Sequence, residues 1–283
     1  MISQVIIEGI INGSIISLVA VGISLIWGVM NILNFAQGEF LMIGMYIAFF
    51  LNMYFGMDPI ISVPFCMIFM FIIGWIIYRA TIKRVLSGPI LSQRLLTFAL
   101  SIVLANLALS LFGGEYRTVS DLYFTGSITL GTLSISKTKI VPFVASLILS
   151  ISLYLFINKT RIGKAIQATS MNKEAAALVG IDADFAYALA FSLSAAVTGA
   201  AGCILTYYYY VFPGVGTTFL LFGNIAVALG GFGSIPGAFF GGVIMGLVDT
   251  TTGVYLNTAF KYLSVCLIYI ITVSFKPKGL FGR

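Results

Sequence analysis

The sequence predicts an all-α fold: a polytopic transmembrane helical bundle of about eight to nine spans, with a short cytoplasmic helix and glycine-broken helices near the C-terminus. Three observations carry that expectation. Of 283 residues, 60% are hydrophobic and 8% are charged, where a soluble domain holds about 25% charged and about 45–50% apolar residues. The apolar residues fall in runs close to the roughly 20 that a helix needs to cross a hydrocarbon core. The cations lie in short clusters between those runs. No hydrophilic block is long enough to fold separately, so residues 1–283 read as one membrane domain.

The runs are Val5–Met30, Phe40–Phe55, Pro59–Tyr78, Leu95–Phe112, Val141–Ile157 and Phe185–Val211. Phe219–Phe232 and Ala238–Thr250 are shorter and joined by a glycine-rich break, and Tyr262–Phe275 follows. The first run is too long for a signal-peptide core, and Met1–Gln4 has no basic residue before it, so it reads as a retained span. Arg79, Lys83, Arg84 and Arg94 mark one cytoplasmic loop, Lys159, Arg161, Lys164 and Lys173 a second, and Lys276, Lys278 and Arg283 the C-terminal end. Three runs precede Arg79, which puts the N-terminus outside and favours an odd count. That count is nine if both short runs cross and seven if they form a re-entrant pair. Eight requires one run to be split or merged. Gly113–Ile140 is the longest external connection and reads either as a small hairpin, such as Ser127–Leu133, or as an ordinary loop.

Composition also excludes chemistries. The chain has no histidine, the commonest metal ligand and general base. Cys66, Cys203 and Cys266 sit inside apolar runs without paired spacing. No catalytic residue and no metal site are expected. The pI of about 9.2 reflects loop cations rather than a nucleic-acid face.

Three stretches stand out. In Asn31–Glu39, the polar Asn31, Asn34, Gln37 and Glu39 interrupt two apolar runs, and Gly38 offers a place for the helix to break. A broken helix with free backbone groups can hold a zwitterion. The same residues also read as an interfacial turn that caps two helix ends. In Arg161–Gly180, the segment Glu174–Val179 is a good helix former: Asn172 suits the N-cap, Glu174 the first turn and Gly180 the C-terminal position. Ala175 and Ala176 keep its surface narrow, as a helix that seats in another protein's groove requires; a solvated surface helix is the alternative. In Gly230–Gly246, the pairs Gly237/Gly241 and Gly242/Gly246 have small-xxx-small spacing for close helix packing, and Gly230–Pro236 cannot hold a regular helix.

Taken in order, these stretches resemble the permease subunits of branched-chain amino-acid ABC importers. Asn34–Glu39 is similar to the family's Asn-Phe-Ala-polar-Gly-Glu run, and Gly230, Gly231, Gly233, Ser234, Pro236 and Gly237 fall on its Gly-Gly-x-Gly-Ser-x-Pro-Gly-Ala run. Lys276–Gly282 resembles its basic-Pro-x-Gly-Leu-Phe-Gly ending, and Glu174-Ala-Ala with Gly180 its ATPase-coupling loop, to which Arg161 and Gly163 also belong. The family commonly has His where this chain has Gln37, and many members have Lys where it has Phe222.

The resemblance implies a multi-pass protein of the bacterial inner membrane. It implies a second permease subunit, usually a related but different chain, two ATP-binding subunits and an extracytoplasmic substrate-binding protein. It places the substrate path along Asn31, Asn34, Gln37, Gly38, Glu39 and Phe222. Branched-chain or related small amino acids are the implied cargo, with urea, short amides or a nucleoside-like solute as the alternative. The sequence adds one point of its own: Gly163-Lys164 is followed by Ala165 and lacks the earlier glycine of a phosphate-binding loop, so ATP is expected to be hydrolysed by partners. An ion-coupled secondary transporter would have to rely on Glu8, Glu39 and Asp249, and would leave the cytoplasmic helix without a role.

Overall fold

The computed structural model describes residues 2–281 apart from 121, 125, 131, 132 and 277, and for 128–130, 133 and 134 the backbone alone. Asp121, Pro277, Gly282 and Arg283 lie outside the described residues. The order is α1 (Ile2–Met30), α2 (Gln37–Phe55), α3 (Pro59–Ile77), a π turn (Tyr78–Ile82), α4 (Lys83–Val85) and α5 (Ile90–Phe112). An external hairpin of β1 (Ser127–Leu130) and β2 (Leu133–Ser136) pairs Ser127 with Ser136. Then come α6 (Lys137–Lys159), α7 (Arg161–Met171), α8 (Lys173–Leu178), α9 (Ala183–Leu205), α10 (Val215–Gly230), α11 (Ile235–Tyr255), a 3₁₀ turn (Thr258–Phe260) and α12 (Lys261–Phe275).

Among the described residues eight helices are long and apolar enough to cross a membrane, with Pro59–Val85 and Thr258–Phe275 each continuous; α10 is shorter. This changes the reading of one of the two short runs. The run expected over Ala238–Thr250 is the middle of the 21-residue α11 and is a full span. Only α10, with 16 residues and a length of about 24 Å, is short. With α10 the described residues hold nine apolar helices, the number at which the basic loops place the N-terminus outside and the C-terminus inside. The basic residues Arg79 of the π turn, Lys83 and Arg84 of α4, Arg161 and Lys164 of α7, and Lys276 and Lys278 of the C-terminal tail mark the end read as cytoplasmic, called the inner end below.

Side-chain size decides which helices are central. In α1 the small residues Gly9, Gly13, Ser17, Ala20, Gly22 and Ser24 let neighbours close in, and 89% of its most apolar window is buried; α9, rich in Ala, Ser and Gly, is buried to the same degree. In α5 and α12 the figures are 11% and 6%, with Leu95, Phe98, Ile102, Leu263 and Ile270 pointing outward. Those faces suit lipid tails or a neighbouring apolar helix. The tightest seam is α1 on α11, antiparallel. A Cβ built on Gly13 would sit 2.7 Å from Val243 Cα, and one on Gly242 or Gly246 would run into the backbone of Ser17 or Gly13.

Caps fix the helix starts. Asp58 accepts from the Ile60 amide at 2.9 Å, with Pro59 following at the first helical position of α3. Ser234 accepts from the Gly237 amide at 3.2 Å and opens α11. The α10–α11 turn uses Gly231 and Gly233 at φ 108° and 78°. The C-terminal tail then closes α10: the amides of Leu280 and Phe281 donate to the Leu229 and Gly230 carbonyls at 2.8 and 3.0 Å. Those carbonyls would otherwise be orphaned at the helix end.

Candidate functional site

The polar stretch after α1 forms a buried junction. Asn31 ends α1 with φ 55°, a left-handed conformation that Asn tolerates better than most residues. The chain then runs irregularly to Ala36, and α2 begins at Gln37. The helix break therefore lies at Asn31–Ala36 and not at Gly38, which is inside α2. Gly38 has a different use: a Cβ there would run into the Gly216 carbonyl, so the first turns of α2 and α10 cross at backbone contact.

The buried side-chain amides of this junction, Asn34 and Gln37, are both engaged. The Asn34 amide donates to Gln37 Oε1 at 3.0 Å, and Asn34 Oδ1 accepts from the Ala36 amide at 3.1 Å. Gln37 Nε2 donates to Ser194 Oγ at 2.8 Å and also to the Thr198 hydroxyl. Ser194 Oγ in turn donates to the Gly22 carbonyl at 2.6 Å. Three helices, α1, α2 and α9, are thus tied at one level, and α5 adds a bond from Thr97 Oγ1 to Leu33 O at 3.1 Å. Asn34 and Gln37 are 1% and 0% exposed, whereas Asn31 faces outward. Glu39 lies in the same first turn of α2, buried, with Ser101 Oγ 3.5 Å from Oε1 and no hydrogen-bond partner for Oε2 among the described residues.

Phe222 is elsewhere. It lines a cavity of about 500 Å³ at the outer end, between α1, α6, α10, α11 and the start of α12, with Asn12, Lys139, Phe219, Asp249, Lys261 and Tyr262. Its ring stacks on Tyr262 at 5.8 Å and 4°. Asp249 pairs with Lys261 at 3.1 Å and Lys139 with Glu8 at 3.4 Å. A second cavity, of about 560 Å³, opens at the inner end beside Ser24, Gly28, Asn158, Gln167, Ser170 and Ser234. The two flank α1 at Ile16 and Ser24, about 12 Å apart along the helix, and every residue from Ser17 to Ile23 is buried. Asn34 and Gln37 line neither.

At the inner end, the segment after α6 is two helices where one was expected. Thr160 caps α7 by accepting from the Gly163 amide at 3.0 Å. Gly163 itself allows the sharp α6–α7 corner, since a Cβ would meet the Phe156 and Ile157 carbonyls. Arg161 opens α7 on its exposed side. Asn172 then caps α8 through the Ala175 amide at 2.9 Å, and α8 covers Lys173–Leu178, one residue earlier than expected. Ala176 is buried, Glu174 and Ala175 are exposed, and Gly180 closes the helix at φ 82°. Leu178 and Val179 are 88% and 75% exposed.

Reading the sequence alone missed α7 and most of the outer cavity. The signal for α7 was present as Ile162, Ile166 and Thr169 at helical spacing behind Thr160. The cavity had a weaker one: Asp249 inside an apolar helix, and the tyrosine run Tyr207–Tyr210. Of that run, Tyr207 lies outside the spans and donates to Asp58. Burial, then the Asp58 carboxylate, hold its phenol well above its ordinary pKa, so it remains a donor.

The family model described as the branched-chain amino acid transport system / permease component matches residues 5–274. The chain is 30% identical over 290 residues to the high-affinity branched-chain amino acid transport system permease protein LivH of Escherichia coli (strain K12), covering 98% of this chain and 94% of that one. It is 33% identical over 296 residues to LivH of Salmonella typhimurium, with the same coverage. It is 30% identical over 293 residues to the corresponding permease protein BraD of Pseudomonas aeruginosa, covering 99% of this chain and 95% of that one. No solved structure matches it.

Proposed function

The chain belongs to the family of branched-chain amino acid transport system permease components, and on that premise we propose that it is the pore-forming permease subunit of an ATP-driven ABC importer. In this reading it sits in the cell (inner) membrane beside a second, related permease subunit and receives branched-chain or related small amino acids from an extracytoplasmic substrate-binding protein. Two ATP-binding subunits on the inner side hydrolyse ATP, and this chain contributes no catalytic residue, metal site or cofactor. Arg161, Gly163, Glu174, Ala175, Ala176 and Gly180 form the coupling element.

The observation that carries the reading is the inner tip of α8. A short capped helix presents Leu178 and Val179 to the exterior at 88% and 75% exposure. In a solvated helix these two apolar side chains would gain by turning inward. Here the αL turn at Gly180 holds the end of the helix outward, as a knob for a groove on another protein requires. Asn34, Gln37 and Gly38 act in this reading as the junction that sets where α2 begins, Asn31 and Glu39 flank it, and Phe222 borders the cargo's route.

The test is uptake of radiolabelled L-leucine by proteoliposomes that hold the assembled transporter, binding protein and ATP. ATP-dependent uptake is expected. Gly180→Val, which forces a β-branched residue into a left-handed turn, is expected to insert normally while hydrolysis by the partners no longer drives uptake. Uptake without ATP would overturn the reading. Uptake of urea or short amides with none of leucine would transfer it to the alternative cargo.

A further inference from the structure

Among the described residues the outer cavity sets ion pairs and stacked aromatic rings side by side, a combination found neither at the α2 junction nor in the inner cavity. Its volume of about 500 Å³ falls within the roughly 300–1,000 Å³ of small-molecule sites. One wall is charged. Asp249 and Lys261 pair at 3.1 Å with side chains 16% and 30% exposed, and Lys139, paired with Glu8 at 3.4 Å, is 31% exposed. The other wall is aromatic: Phe222 stacks on Tyr262, and Phe219 meets Tyr209 edge-on at 5.3 Å.

Ionisable groups within an apolar bundle mark a water-filled route more often than they serve packing. These ones are paired yet still reachable from the cavity. Among the described residues two cations and one anion line it, arranged beside ring faces that offer apolar contact.

Resting on the permease reading, we propose that this cavity is the outer loading station for a free zwitterionic amino acid with an aliphatic side chain. The ammonium group takes the place of Lys261 on Asp249. The carboxylate is received by the released Lys261 and by Lys139, and the side chain lies against Phe219, Phe222 and Tyr262. Entry of the ligand opens the Asp249–Lys261 pair, and departure lets it re-form, so no charge is left unpaired in either state. Because the ligand must displace an existing ion pair, its hold is weak, as a station that passes cargo onward requires. Urea has no carboxylate for the lysines, and an acidic amino acid would bring a second carboxylate against the electron-rich ring faces.

The experiment measures uptake of radiolabelled L-leucine and L-alanine by the assembled transporter in proteoliposomes, at matched amounts of assembled complex. Asp249→Asn and Lys261→Gln are each expected to lower leucine uptake about tenfold, the scale of one lost hydrogen bond to a charged group. Lys139→Gln, on a different helix, is expected to lower it in the same direction without touching the α11–α12 contact. The double variant Asp249→Lys with Lys261→Asp keeps an ion pair but exchanges its ends, and it is expected not to restore uptake. Phe222→Trp is expected to reduce leucine uptake more than alanine uptake. Restoration by the exchanged pair would overturn the proposal, because the two residues would then be a structural clasp. Wild-type uptake in all three neutralised variants, or equal losses of leucine and alanine in Phe222→Trp, would also overturn it. Absence of leucine uptake in the wild type would instead sink the permease reading itself.

Discussion

The polar regions around Gln37 and around Asp249 lie within the same apolar bundle and are built on opposite terms. Around Gln37, the amides of Asn34 and Gln37, the hydroxyls of Ser194 and Thr198 and the Gly22 carbonyl form one linked, buried set. Around Asp249, the groups are ionised, paired across helices and partly open to a cavity. Buried polar groups that satisfy one another rigidify a structure. Polar groups left reachable can exchange partners. Polarity inside a membrane protein therefore does not by itself mark a route, and the state of the hydrogen bonds separates scaffold from path.

If the closed region is scaffold, its geometry is intolerant. The largest effect is expected from Gly38→Leu. The first turns of α2 and α10 cross at Gly38 and Gly216, where even a Cβ would run into backbone carbonyl. Overpacking costs about 1–3 kcal/mol where side chains can move, and backbone cannot. The variant is expected to yield no assembled complex by size-exclusion chromatography in detergent. Normal recovery would show that the crossing is loose.

Next is Gln37→Leu. It removes the acceptor of the Asn34 amide and the donor to Ser194 and Thr198. With one or two buried groups left unpaired, at about 1–3 kcal/mol each, a loss of about 2–4 kcal/mol is expected, read as a lower thermal unfolding midpoint of the purified complex. An unchanged midpoint would break the comparison, because the network would then not be structural. Thr198→Val sharpens it: the shape is kept, Ser194 still receives the Gln37 amide, and a loss of about 1 kcal/mol is expected by the same measurement.

How much of this the sequence disclosed depends on the range over which each feature is determined. Spans follow from local hydropathy, so eight long helices were within reach, and α11 was underestimated only because Gly241, Gly242 and Gly246 dilute its apolar run. The break after α1 was legible as a polar interruption but misplaced at Gly38. Asn31 took the left-handed turn, and the glycine was needed for an approach by α10, 178 positions away in the sequence from Gly38 to Gly216. The outer cavity was not legible as a site. Asn12, Lys139, Phe222, Asp249 and Lys261 come from five separate helices, and only packing assembles them.

The smallest effect is expected on the open side, and it tests the comparison from the other direction. Glu8 and Lys139 join the outer ends of α1 and α6 at 3.4 Å, with side chains 33% and 31% exposed. A pair that solvated is screened by water and must hold two flexible side chains in one geometry. Exposed pairs of this kind contribute about 0–1 kcal/mol. Glu8→Gln also removes a charge without changing shape, and Lys139 remains solvated, so no unpaired buried ion results. The unfolding midpoint of the assembled complex is therefore expected to move far less than for Gln37→Leu, with a stability change of about 0.5 kcal/mol or less, shrinking further at high salt. Should Glu8→Gln destabilise as strongly as Gln37→Leu, the outer charges would be dry and structural. The two polar regions would then be of one kind, and the distinction between a closed scaffold and an open route would fall.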